Sequence, residues 1–251
     1  METVVVDCHK EVLPHWFKEY LRLELPLVEV RIDQHHDMNH ECPALPAREG
    51  RQIQDYFSKI MPYILEYAKT EINEANFTCP AFHYGILGAM YHFNPRGEEI
   101  EAYGRVSGSK FIDAPKTKRE ALSIGGKIIN RIRWDEALTK LRIQGGKSIP
   151  ISEKITIEEF RRDIEESSFP TVIGFDLDGI CGIVERKPTK EVLEKRLGRV
   201  ERVLVCVSSP AFAYIARSQT PRRYVPSEMV DILQEAATNL IQTIYTQDLI
   251  A

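Results

Sequence analysis

The sequence predicts an α/β fold: a single domain over residues 1–251 in which helices cover both faces of a mostly parallel sheet, giving three α-β-α layers. Three observations predict it. Short continuous apolar runs alternate with longer stretches of helical periodicity, the pattern of strands buried on both faces. At 251 residues the chain can bury a full core, and 43% hydrophobic with 28% charged residues is ordinary globular composition. Several apolar runs end directly in Asp and His, at the strand carboxyl ends where such sheets carry their chemistry.

The elements follow in order. "ETVVVDC" reads as a first strand, Val4, Val5 and Val6 forming the run expected of a sheet interior. "EVLPHWFKEYLRL" reads as a helix with Pro14 in its first turn, where the missing N–H is tolerated. "LPLVEVRID" is the second strand. Residues 51–67 place Ile53, Tyr56, Phe57, Ile60, Ile64 and Tyr67 at helical spacing, predicting an amphipathic helix. A strand-like piece covers 89–93, residues 97–120 read as loop, and a helix covers much of 118–142. The stretch 97–150 is the least defined and has room for an insertion. Thr156 and Glu159 form a capping box that opens a helix. "TVIGFDLD" reads as a strand, "TKEVLEKRLGR" as a helix and "VERVLVCVSS" as a strand. The last helix starts near Ser227 and runs through Val230, Leu233, Ala237, Leu240 and Ile244.

Composition narrows the function. A net charge of −4 argues against a nucleic-acid binder. There is no positive n-region and no long apolar segment, so neither a signal peptide nor a membrane span is expected. The five cysteines, Cys8, Cys42, Cys79, Cys181 and Cys206, include no C-x-x-C pair. They read as reduced, mostly buried thiols of a cytoplasmic protein.

The chemistry sits at three strand ends. The first strand runs into Asp7 and His9, the second into Asp33, His35 and Asp37, and a later one into Asp176 and Asp178. Side chains two apart in extended chain point the same way, so each set can converge. Two histidines, His9 and His35, with four of these aspartates, Asp33, Asp37, Asp176 and Asp178, suffice for two ions and over-supply one. Four crowded carboxylates repel unless cations neutralise them. An oxygen-rich set with two imidazoles and no thiolate suits Mn²⁺ ahead of Fe²⁺ or Zn²⁺. Two such ions about 3.5–4 Å apart share a water and make hydroxide accessible near neutral pH. His36 and His40 read as loop residues. A lone D-x-D is also a common strand-end cap. "VIGFDLDGIC" matches the nucleophile motif of haloacid-dehalogenase-type phosphatases, and His36-Asp37 the dipeptide of HD-type phosphohydrolases. Each of these two motifs leaves half of the cluster unused.

Asp33-x-His35-x-Asp37 followed by Asn39, with Asp176-x-Asp178 in "FDLDG", resembles the ureohydrolase (arginase and agmatinase) superfamily. "VVVDCHKEVLPHW" and "NEANFTCPAFHYGI" resemble a divergent branch that includes the peptide arginases. The resemblance runs from residue 3 to about residue 215 and is weakest across 97–150. It implies an arginase-like fold, with His9, Asp33, His35, Asp37, Asp176 and Asp178 holding two Mn²⁺. It implies hydrolysis of arginine side chains within a precursor peptide to ornithine and urea, by a metal-bridging hydroxide. The guanidinium would be held by a Glu, Glu191 first and Glu185 second. Protons would be shuttled by a His, His40 first and then His83. Asn39 matches a substrate-contacting Asn, and Glu74 and Asn76, on a loop, would line the cleft. The implied partner is an arginine-containing peptide, with or without a leader segment; nucleic acid and membrane are not implied, and a homo-oligomer is compatible with the family.

The chain departs from the family in three places. His9 lies close to residue 1, Gly174 stands where a Ser usually precedes "FD", and the loops that grip a free amino acid are not recognisable. The last agrees with a peptide substrate. The alternatives are a ureohydrolase for a free guanidino compound such as arginine or agmatine, a deacetylase-like metal amidohydrolase, and a binding protein that keeps its metals without turnover.

Overall fold

The structure, a computed structural model, describes residues 1–38, 62, 65, 66, 68–70, 72–112, 152–185 and 187–246. The helix predicted over 118–142 lies outside these residues, as does most of that over 51–67.

Nine strands are described: β1 (Glu2–Val6), β2 (Leu27–Ile32), β3 (Leu87–Phe93), β4 (Ile100–Tyr103), β5 (Arg105–Ser107), β6 (Lys110–Ile112), β7 (Ser152–Ile155), β8 (Thr171–Asp176) and β9 (Phe212–Ala216). Seven form one mixed, mostly parallel sheet in the order β1-β9-β8-β2-β3-β4-β7, and β5-β6 is a separate hairpin. From β1 to β3 every neighbouring pair is parallel, while β4 runs antiparallel to both β3 and β7. The carboxyl ends of β1, β9, β8, β2 and β3 therefore share one edge of the sheet.

The helices that pack on it include α1 (Leu13–Leu23), α2 (Thr78–Tyr84), α3 (Ile157–Glu166), α4 (Lys190–Leu204) and α5 (Ser227–Thr246). Alternation along the strands separates two cores. Ile173 and Phe175 of β8, with Ala213 and Ile215 of β9, pack with Phe160 of α3, Val200 of α4 and Leu233 of α5. Val172, Phe212 and Tyr214 point the other way, onto Trp16 and Phe17 of α1 and Phe82 of α2. An α/β protein with apolar cores on opposite faces of its sheet is compatible with three layers. Among the described residues no helix is long and apolar enough to cross a membrane.

The α3 cap is as the sequence predicts. The Glu159 N–H donates to Thr156 Oγ1 at 3.2 Å, and the Thr156 N–H donates to Glu159 Oε2 at 2.9 Å. Thr156→Ala should lower stability by about 1 kcal/mol and the thermal midpoint by roughly 2–4 °C. An unchanged melting curve would mean that the cap contributes nothing.

Four expectations need correction. β1 is an edge strand, with Val5 45% exposed, because β9 inserts between it and the rest of the sheet. Residues 200–204 belong to α4, not to a strand. Val200, Val203 and Leu204 are buried at helical spacing while Val205 is 56% exposed, so the density of Val reflects one face of a helix capped by Thr189. The strand of that region is β9, the fully buried "FAYIA". The stretch 97–112, read as loop, contains β4, β5 and β6, whose short strands carry little periodicity. Finally, Cys79 is disulfide-bonded, whereas Cys8, Cys181 and Cys206 are free and buried. A disulfide joins cysteines near in space, which spacing along the chain does not reveal, and it weakens the thiol argument for a reducing compartment.

Candidate metal centre

The shared carboxyl edge gathers all six predicted ligands. β2 delivers Asp33, and the chain then turns instead of continuing extended. Asp33 Oδ1 accepts the His35 N–H at 2.8 Å, and His36 Nδ1 accepts the Met38 N–H at 3.1 Å. Asp37 sits in the left-handed region at φ 51°, a conformation Asp tolerates better than most residues. The predicted convergence of Asp33, His35 and Asp37 is thus reached by an Asx-type turn and not by strand alternation. β8 ends on Asp176, and a 3₁₀ turn over Leu177–Gly179 brings in Asp178, whose N–H donates to Asp176 Oδ1 at 3.0 Å. The two ligand loops touch at Gly179, where a Cβ would lie 3.1 Å from the Asp33 Cα. His9 opens the 3₁₀ turn that follows β1 and is buried.

Among the described residues, two groups have ligand atoms close enough to hold an ion: His9 with Asp33 and Asp37, and Asp33 with His35 and Asp178. Asp33 belongs to both. His9 Nδ1 lies 3.1 Å from Asp33 Oδ2, 3.2 Å from Asp37 Oδ2 and 3.1 Å from Asp176 Oδ2. His35 Nδ1 lies 3.0 Å from Asp178 Oδ2. The Ser218 hydroxyl, beyond the end of β9, lies 2.7 and 2.6 Å from the two Asp176 oxygens and steadies that carboxylate.

A divalent ion fits these residues on two grounds. His9 Nδ1 and Asp33 Oδ2 are buried yet make no hydrogen bond. They are as close as an ion pair without the alignment of N–H···O, although buried polar atoms are ordinarily satisfied. The donors themselves, carboxylate oxygen and imidazole nitrogen without thiolate, suit a hard or borderline divalent cation.

Without a cation the site is electrostatically unfavourable. Burial, then the neighbouring Asp37 and Asp176, push Asp33 up to about 6. Burial also raises Asp37 and, with Asp176 and Asp33, holds Asp178 well above the usual carboxylate range. The Asp178 hydrogen bond lifts His35 to about 9. Burial opposes a charge on His9, but the Tyr214 oxygen and the carboxylates of Asp176, Asp33 and Asp37 outweigh it and hold its pKa well up.

Behind the ligands, facing α1 and α2, lies a buried polar chain. His9 Nε2 is 2.9 Å from the Tyr214 hydroxyl, which donates to Glu29 Oε1. Glu29 accepts from Arg31 Nε at 3.1 Å and Nη2 at 2.8 Å, and Arg31 Nη1 donates to the His36 carbonyl at 3.0 Å. The Arg31 guanidinium sits 4.8 Å from the Phe77 ring centre and 5.7 Å from that of Trp16.

In front, the centre opens through His35, half exposed. The Tyr224 ring lies edge-on to it at 6.1 Å, and the Tyr224 hydroxyl donates to Glu74 Oε1 at 2.9 Å. Burial, then Glu74, push Tyr224 up to about 12. Of the remaining candidates, Glu191 is exposed in the first turn of α4. Glu185 is engaged by Arg196, at 2.8 Å from each of its oxygens. Asn76 is buried, its Oδ1 accepting from the Asn73 N–H at 2.9 Å. Asp7 is exposed and outside the ligand set. Asn39, His40 and the side chain of His83 lie outside the described residues.

Tyr214, Ser218 and Tyr224 were not legible in the sequence, since each reaches the centre only through the sheet order or a distant loop. Glu29 and Arg31 carried a signal. Two opposite charges at i and i+2 inside an apolar strand point to one face and pair there if that face is buried. Compared with family models and with curated proteins, the chain finds no match.

Proposed function

We propose that this chain is a dinuclear metal-dependent amidinohydrolase of arginase-like fold, converting arginine side chains within a peptide to ornithine and urea. The observation that carries the reading is the pair of ligand groups sharing Asp33 at one sheet edge, since ions sharing a carboxylate can act on one substrate group. His9, Asp33 and Asp37 would hold one ion and Asp33, His35 and Asp178 the other, while Asp176, held by Ser218, would face His9 Nδ1 beside the first. Two Mn²⁺ would supply Lewis acidity and a water acidic enough to ionise near neutral pH.

The residues themselves position the substrate. A guanidinium stays charged at neutral pH and favours a carboxylate that can accept a bidentate pair. Glu74 is half-buried beside the mouth, and Tyr224 fixes one of its oxygens while leaving acceptor capacity. That contact favours Glu74 over the exposed Glu191 as the cation holder. Asn39 and His40 follow the ligand loop directly in sequence and keep the roles the resemblance gives them, substrate contact and proton delivery to the departing amine.

The test is mass spectrometry after incubation with Mn²⁺, with free arginine and an unstructured arginine-containing peptide in parallel. Urea release with arginine-to-ornithine conversion in the peptide alone is the expected outcome. Conversion of the free amino acid alone would move the substrate to a small guanidino compound. No urea from either, with two ions bound, would overturn the amidinohydrolase reading.

A further inference from the structure

We infer that Tyr214 is a positioning residue: it keeps the His9 proton on Nε2 and so makes Nδ1 the metal-facing nitrogen. This rests on the dinuclear reading above. A neutral imidazole carries one ring proton, and the nitrogen without it is the ligand. Which nitrogen that is depends on what the other one bonds.

The buried chain behind the site answers the question by its direction. Both Glu29 oxygens accept from Arg31, so the carboxylate has no proton to offer Tyr214. The Tyr214 hydroxyl donates its only hydrogen to Glu29 Oε1, leaving its oxygen as an acceptor toward His9 Nε2 at 2.9 Å. The Nε2–H is therefore satisfied where it is. Nδ1, surrounded by Asp33, Asp37 and Asp176 oxygens, is the position from which a cation can displace the proton.

Gly174 is the independent sign that this hydroxyl's place is built for it. A Cβ at 174 would lie 2.2 Å from the Tyr214 hydroxyl oxygen and 3.0 Å from Glu29 Oε1. Any side chain there, Ser included, would compete with the Tyr214–Glu29 contact. The departure from the resembled pattern thus has a physical reason: the space is taken by Tyr214.

Removing the hydroxyl leaves a buried Nε2–H without an acceptor while Glu29 keeps Arg31. The ring then retains its proton on Nδ1, facing three carboxylates, where it blocks coordination. Loss of such an outer hydrogen bond typically lowers metal affinity about 10–100-fold.

The experiment is calorimetric titration of chelator-treated protein with Mn²⁺. Wild type should take two ions, and His35→Ala should take one, at the His9 side. In the His35→Ala background Tyr214→Phe should weaken that remaining ion about 10–100-fold, and Gly174→Ala should do the same by displacing Tyr214. In the wild-type background Tyr214→Phe should weaken one ion and spare the other, with a melting curve in chelator close to the parent's. Unchanged affinity in the His35→Ala background would overturn the inference. So would equal weakening of both ions, since a merely structural loss does not choose between sites. If wild type itself takes no second ion, it is the dinuclear reading that fails.

Discussion

Asp33→Ala should abolish binding of both divalent ions, whereas Asp37→Ala and His35→Ala should each abolish one. The asymmetry follows from the two ligand groups, which have Asp33 as their only common member. Removing Asp37 leaves Asp33, His35 and Asp178 intact, and removing His35 leaves His9, Asp33 and Asp37 intact. Removing Asp33 leaves two ligand atoms on either side, too few to compete with water for a dehydration-resistant cation. Lewis-acid stabilisation is worth several kcal/mol, and each 1.36 kcal/mol is tenfold in rate. On the proposed function, urea release from a guanidino substrate should therefore fall by more than about a thousandfold in Asp33→Ala. The readouts are Mn²⁺ stoichiometry by calorimetry and urea release on the same preparations. One ion still bound by Asp33→Ala would show that the groups do not share it. Turnover surviving with neither ion bound would refute a metal mechanism altogether.

The six candidate ligands were legible as a cluster because they lie next to strands whose apolar runs are themselves legible. Asp33 follows Ile32, Asp176 closes β8, and the parallel order of β1, β8 and β2 puts all three ends on one edge. What could not be read is anything that depends on which strand neighbours which. β9 was missed because "FAYIA" is short and lacks polar alternation, while "VERVLVCV" nearby is richer in β-branched residues, although its first five residues end a helix. Missing β9 meant missing Tyr214 and Ser218, the two residues that contact His9 and Asp176 from behind. Local composition reports an element's preference, whereas the outer contacts of a site are set by the sheet order.

Arg31→Met should destabilise the fold by about 3–5 kcal/mol, the loss expected when one partner of a buried ion pair is removed. That is a large share of a typical 5–15 kcal/mol. Glu29 and Arg31 both have 0% of their side chains exposed, in the middle of the sheet. With a thioether at 31, the Glu29 carboxylate keeps only the Tyr214 hydroxyl and no compensating charge. Burial works against the Arg31 charge as well, yet Glu29 outweighs it and holds the guanidinium protonated. The pair is therefore matched, and each member is destabilising alone. The double variant Glu29→Gln/Arg31→Met should recover most of the loss, because a neutral amide still accepts from Tyr214 and no charge remains to desolvate. Denaturant unfolding of the two variants decides the matter, and a single variant within 1 kcal/mol of wild type would mean that water reaches Glu29. The double variant should still bind its ions more weakly than wild type. Arg31 Nη1 also holds the His36 carbonyl at 3.0 Å, and without that tether the turn presenting Asp33, His35 and Asp37 is less well fixed. Stability restored with metal affinity still reduced would separate the two tasks of one arginine: neutralising a buried carboxylate, and anchoring the ligand loop.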